Sequence, residues 1–387
     1  MLEIVGKYGT ANVMVDSLDE ASLSQIYKMM NSPAFNRERV RIMPDVHCGK
    51  GSVVGFTSTL GEKVIPNVIG VDIGCGILLA PFTTNKEISF EVLDKVIRSE
   101  IPSGTSVRSS IYSGLHNNYT KIGKLFSEIE EGIRDICTNT DQDFERVLKS
   151  IGTLGGGNHY LEVDRNPNNL TALSIHSGSR NFGLQIANFH QKKAIAYRQF
   201  VDKDLLEGFE KDLAWLEGDM ALAYLKDMMV AQKYALLNRA VMLDIICTKM
   251  NFELDLDNYV ESIHNYIDFD NKIVRKGAIS AKEGERLVIP ISMADGVILG
   301  KGKGNIDWNN SAPHGAGRLF SRNKAKELLS LDEYKSKMSN VWSSCISQGT
   351  LDESPMAYKG LDFILSSIGP SVDVIEVWKP VYNYKAG

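Results

Sequence analysis

Hydrophobic positions along this chain change their spacing several times, and each change predicts an element. The runs 52–59 and 64–71 are short, rich in β-branched residues and bounded by glycine or proline, which predicts strands joined by turns in the N-terminal part. Over 87–100, and again over 121–136, apolar residues recur at helical spacing. Glycine-rich strand and loop pieces return over 151–179. The longest helical stretch covers about 185–250, where Leu225, Met229, Leu236, Ala240 and Leu243 fall at helical offsets without an intervening proline. Gly218 divides it into two long helices. Beyond Asp270 strands resume, in the runs 286–291 and 372–378. Strands and helices are grouped, not alternating, so the expected fold is α+β: mixed or antiparallel sheets with surrounding helices and a long helical insertion. No repeat, low-complexity tract or Pro/Gly/Ser-rich linker divides the chain, and we expect one compact domain over 1–387.

Composition narrows the class. With 387 residues, 43% hydrophobic and 24% charged, the chain can bury a substantial core. No apolar run approaches the roughly 18 residues of a membrane span. The segment 1–15 lacks a cationic stretch followed by a continuous apolar one, so no signal peptide is expected and the location is read as cytoplasmic. Five cysteines at 48, 75, 137, 247 and 345 are an odd number without framework spacing. Reduced thiols fit that pattern, and any special cysteine is then a ligand or a nucleophile. A net charge of -5 argues against a general nucleic-acid coating protein, although a local basic patch suffices to hold a single phosphate-bearing ligand.

Candidate chemistry is concentrated at histidine. Of seven histidines, five lie in glycine-rich or polar contexts: His47 in Asp45-Val-His-Cys, His159 in Gly155-Gly-Gly-Asn-His, His176 in His-Ser-Gly-Ser-Arg180, His264 in His-Asn-Tyr, and His314 in His-Gly-Ala-Gly-Arg318. Clustered glycine implies unusual dihedrals or close backbone approach. One such histidine is unremarkable; five together point to a site. Beside them stands Gly70-Val-Asp72-Ile-Gly-Cys75-Gly76, whose carboxylate and thiol, three residues apart in a tight loop, make a candidate ligand pair. One thiolate can bridge two cations, so Asp72, Cys75 and three histidines can supply a two-metal centre. Sulfur and imidazole favour zinc, whereas the carboxylate and positions open to phosphate oxygens also admit manganese.

Taken in order, these motifs resemble the RtcB family of RNA ligases, and the resemblance covers 43–385. It implies a GTP- and Mn(II)-dependent ligase that joins an RNA 3′-phosphate or 2′,3′-cyclic phosphate to a 5′-hydroxyl, in tRNA splicing or RNA repair. Two Mn(II) per chain would be held by Asp72, Cys75, His159, His176 and His264. His314 would be the guanylylated nucleophile, with Asp45 and Arg180 as further active-site residues and Arg180 suited to an RNA phosphate. Nucleotide contacts are implied at Asn158, His159, Tyr160, Leu161 and Glu162, at His264 and Asn265, and at Pro290, Ile291, Ser292 and Met293. They continue through His314, Gly315, Ala316 and Gly317 to Tyr358 and Lys385.

The chain departs from that pattern in places. After Met293 it reads Ala-Asp-Gly-Val, shorter than the usual Gly-Thr-rich stretch; Pro313 precedes His314 and should hold Ala312 extended. Two rival readings are a divergent paralogue that processes RNA or DNA ends without ordinary tRNA ligation, and a non-catalytic metal-dependent RNA-end binder. Cys48, Cys137, Cys247 and Cys345 are read as packing residues, His116 and His190 as surface or helix residues, and Asn238-Arg239 as a core-facing structural pair in preference to an active-site wall. His47 is read either as supporting the site or contacting RNA, or as a structural residue.

Overall fold

A computed structural model describes residues 1–201 and 211–386. Its architecture is α+β, as the grouping of elements predicts. An eight-stranded sheet contains, in spatial order, Arg286–Ser292, Gly296–Gly302, Val372–Lys385, Tyr160–Arg165, Thr171–Ser177, Gly76–Thr83 and Glu253–Leu254, with Val260–Ile263 also pairing against Gly76–Thr83. All its pairings are antiparallel. The sheet curls until its first strand meets Val260–Ile263, where Val288 N–H donates to Ser262 Oγ at 2.9 Å. A second sheet of six strands runs Leu2–Val5, Thr10–Val13, Val40–His47, Val54–Thr59, Ile273–Lys276 and Asn265–Asp268, with one parallel pairing. Ala278–Ser280 and Ser311–Pro313 form a small ribbon between them.

Each strand of the large sheet alternates its faces. Leu161, Val163, Leu173 and Ile175 enter the main apolar core, while Tyr160, Glu162, Asp164, Ser174 and His176 point to the other side. That second face is where the polar chemistry collects. Against the core face lie the two long helices, Arg180–Val201 and Gly218–Met250. The first buries Phe182, Ile186, Ala187, His190 and Ala194, the three- and four-residue spacing of a single stripe. Gly218 begins the second helix, as expected; residues 202–210 of the predicted insertion lie outside the described residues. Helices Phe90–Glu100 and Lys121–Thr140 start where Ser89 and Thr120 accept N–H bonds from Val92 and Gly123, at 3.4 and 3.1 Å.

One predicted strand is a helix instead. Within 64–71 the chain forms the short helix Pro66–Ile69, because proline at the first helical position has its φ already set. Gly70, at φ 93, then ends it. His190, read as a surface or helix residue, lies on the helix Arg180–Val201 and is buried, with Nε2 2.7 Å from Asp227 Oδ2. Among the described residues no helix is long and apolar enough to cross a membrane.

Candidate active site

The turn from Gly70 to Gly76 brings the first two ligand candidates together. Cys75 N–H donates to Asp72 O at 3.2 Å, closing the turn. Gly74 is required there: its φ is 71, and a Cβ would lie 2.8 Å from that of Ala235 on the long helix. Sheet pairing supplies the rest. Gly76 pairs with Ser177 on one side and Ile263 on the other, which sets His176 and His264 beside Cys75; His264 N–H donates to Cys75 O at 2.9 Å.

The side chains converge in two groups that share the thiol, Asp72–Cys75–His159 and Cys75–His176–His264, with ligand atoms within 4.8 Å in each. Cys75 Sγ lies 3.4 Å from His159 Nε2 and 3.3 Å from His176 Nε2. His159 Nδ1 is 2.9 Å from the carbonyl of Leu154, so Nδ1 donates there and Nε2 is turned toward the other ligand candidates. Nε2 faces Asp72 Oδ2 at 2.9 Å. Such a contact is favourable only with a positive charge between the two atoms, either a proton or a bound cation. His176 and His264 repeat the pattern, with Nε2 atoms 3.0 Å apart and both rings held well below their usual pKa by burial and neighbouring imidazoles. Burial and Asp72 push the Cys75 thiol well up, so a cation must supply the charge that stabilises its thiolate. The donor set therefore fits divalent cations.

His314 sits immediately alongside. It follows strand Ser311–Pro313, in which Ala312 is extended as Pro313 demands. Its backbone N–H and ring Nδ1 both reach Asp45 Oδ2, at 3.2 and 2.6 Å. Asp45 is fully buried on strand Val40–His47. With Nδ1–H committed to the carboxylate, Nε2 is the free nitrogen. The His314 and His264 rings are 4.6 Å apart between centroids. Gly317, at φ 75, lets the loop pass so close to Asp45 that a Cβ would meet the Asp45 carbonyl at 2.6 Å. His47 Nδ1 lies 3.0 Å from the Asp45 carbonyl, and burial lowers its pKa.

His47, His176, His264 and His314 line a cleft of about 650 Å³, whereas Asp45, Asp72, Cys75 and the predicted nucleotide contact His159 are not part of its wall. Its walls include Asn158, Tyr160, Glu162, His176, His264 and Asn265. Pro290 to Met293, His314 to Gly317, Tyr358 and Lys385 complete the predicted set that lines it. Leu161 does not reach the cleft, since its side chain is in the main core. Arg180 also lies off the wall. Its guanidinium is packed beneath Gly155 and donates to Thr153 Oγ1 (3.2 Å) and Gly104 O (2.9 Å), which fixes the loop before His159. Ser292 spends its hydroxyl on its own turn, accepting from Ala294 and Asp295 N–H and donating to Asp295 Oδ2 at 2.8 Å.

Sequence reasoning missed several cleft residues. Glu353 is buried there, with Tyr358 Oη at 2.5 Å, Lys385 Nζ at 2.8 Å, and Arg318 and Arg322 also bonded to it. Lys276 lines the cleft and donates to the carbonyls of Lys50 and Ser52. The signal was indirect: Arg318 falls inside the motif quoted for His314. Cys48 is exposed at the cleft and is not a packed thiol, whereas Cys137, Cys247 and Cys345 are buried. Asn238 and Arg239 are structural and also shape the site. Asn238 bonds Gly152, Thr153, Ser177 and Gly178; Arg239 bonds the carbonyls of Gly74 and Ser177 and pairs with Glu261.

An α+β scaffold that gathers thiol, imidazole and carboxylate donors beside a carboxylate-paired histidine defines a class of candidate metal-dependent enzyme. Within it the chain belongs to the RtcB family: the family model described as tRNA-splicing ligase RtcB matches residues 25–386. It is 30% identical to the RNA-splicing ligase RtcB of Escherichia coli (strain K12), over 98% of this chain and 97% of that protein. It is 27% identical to the tRNA-splicing ligase RtcB of Nanoarchaeum equitans (strain Kin4-M), over 92% and 90% of the two chains.

Proposed function

We propose that this protein is an RNA ligase that uses GTP and Mn(II) to join an RNA 3′-phosphate or 2′,3′-cyclic phosphate end to a 5′-hydroxyl end, through a guanylylated His314. The observation that carries this reading is the His314–Asp45 pair, placed against His264 at the edge of the candidate metal centre. Family membership and the names of the relatives support it.

His314 Nε2 would attack the α-phosphorus of GTP, forming the P–N bond as the bond to the β-phosphate oxygen breaks and pyrophosphate leaves. The ring gains positive charge in that step, and Asp45 is placed to stabilise it while keeping the tautomer fixed. The RNA 3′-phosphate then takes the guanylyl group, restoring the free ring. Attack by the 5′-hydroxyl on that activated phosphate forms the phosphodiester and releases GMP; a cyclic phosphate must first be hydrolysed. Asp72, Cys75, His159, His176 and His264 would hold two Mn(II), which supply charge neutralisation at the phosphates when bound. Glu162, Tyr358 and Lys385 form the wall at which the base would sit. Arg180 would act by fixing the loop before His159 rather than by gripping a phosphate. We further propose one catalytic domain, since the largest apolar core draws on residues from Ile4 to Tyr384.

Incubation with Mn(II) and α-labelled GTP tests this directly. Acid-labile, alkali-stable label is expected on the protein and should be lost in His314→Ala. Label on neither protein, despite bound metal, would favour a non-catalytic RNA-end binder. Label without joining of RNA halves would favour a divergent paralogue.

A further inference from the structure

Strand Tyr160–Arg165 presents Tyr160, Glu162 and Asp164 in succession on the inner face of the curled sheet. Glu162 lines the cleft and accepts from Asn383 Nδ2 at 2.6 Å. Asp164, one step further along, is fully buried, and neither carboxylate oxygen has a hydrogen-bond partner. Ser174 Oγ comes near both Asp164 and Tyr160 but makes no well-formed hydrogen bond with either. Ala172, directly across from Asp164, belongs with Trp378, Val297 and Leu299 to an apolar cluster.

Few charges face this pair from the surrounding strands. On the same strand stands Tyr160, whose phenol burial pushes up. From Thr171–Ser177 comes His176, kept neutral by burial. From Val372–Lys385 comes Lys385, opposite Tyr160 and already paired with Glu353. The apolar cluster contributes none. An ionised carboxylate without a partner in such surroundings is strongly disfavoured, and a proton removes the penalty.

We propose that Asp164 is a positioning residue kept as the neutral carboxylic acid near neutral pH, and that its proton allows Glu162, two residues away, to stay ionised toward the nucleotide. The second half rests on the nucleotide reading of the cleft. Burial raises both Glu162 and Asp164 above the carboxylate range, and two such neighbours titrate as a unit. As pH rises the member that lines the cleft and accepts from Asn383 ionises before the one that has no hydrogen-bond partner. Asp164 loses its proton only later, placing a second buried negative charge behind the first.

Because asparagine resembles a protonated aspartic acid in shape and charge, the proposal separates cleanly from a merely structural role. Infrared spectra of the 13C-aspartate-labelled protein should show a buried carboxylic acid band at neutral pH that Asp164→Asn removes. With Mn(II) and GTP, Asp164→Asn should keep the KM for GTP within about twofold of wild type near neutrality. As pH rises, wild-type KM should first fall as Glu162 ionises and should climb only at higher pH, where Asp164 loses its proton; that climb should be smaller in the variant. Glu162→Gln should raise KM roughly tenfold even at neutral pH. The proposal is overturned if no such band exists, or if Asp164→Asn raises KM at neutral pH as Glu162→Gln does. Should wild type neither bind nor react with GTP, the nucleotide reading fails, and the infrared band still decides whether Asp164 holds the proton.

Discussion

Asp45 touches His314 twice, through the backbone N–H and through Nδ1, so one buried carboxylate fixes both the loop and the tautomer. Asp45→Asn keeps the shape but loses the charge that balances an imidazolium. We expect guanylylation in single-turnover assays to slow by roughly 10²-fold or more. Metal binding should be unaffected, because Asp45 is in neither ligand group; a parallel loss of metal affinity, read by chelator competition, would contradict the assignment. Cys75 behaves oppositely. As the donor common to both groups, its replacement by alanine should remove metal binding and guanylylation together. Normal labelling of Cys75→Ala would refute a shared-thiol centre.

The helix Gly218–Met250 shows what local pattern can and cannot reveal. Its helical period was legible, and so were the glycine-bracketed ligands, since residue type and short spacing survive in one dimension. That Asn238 and Arg239 face the core was read as well, but that they tie both ligand loops was not, because apolar and polar positions alike are buried where the helix crosses the sheet. Pro66 misled for the converse reason: β-branched neighbours suggested a strand, while proline favoured the first turn of a helix. Arg180 and Leu161 sit within correctly read motifs, yet the path of the chain takes both off the cleft wall. For Asn238→Ala we expect a loss of about 3 kcal/mol, as several buried groups lose their partner. Thermal melts would detect it, and Mn(II) affinity should weaken in step. An unchanged melt would mean that the loops hold without the clamp.

Across the whole molecule, charge and metal should both register in stability. Burial alone would raise Glu353, but Lys385 and Arg322 overcome it and hold the carboxyl at about 2. A carboxyl depressed on folding contributes stability above its unfolded value, near 4.3, and the contribution is lost as pH falls toward 2. Glu353→Gln should therefore flatten the acid limb of a stability–pH curve and cost a few kcal/mol at neutral pH. An acid limb identical to wild type would show that the ion pairs contribute little. Chelation should likewise lower the melting temperature, an effect absent in Cys75→Ala, since a ligand bound only by the folded state stabilises it.

The strand Val372–Lys385 lies between Gly296–Gly302 and Tyr160–Arg165, in the interior of the large sheet, and carries Lys385 to the cleft. During translation every other strand of that sheet leaves the ribosome first, so until this segment emerges two neighbouring strands expose unpaired edges. A chain truncated before this strand would thus be sticky and unable to complete its cleft, so the pairing of one interior strand decides which copies become competent.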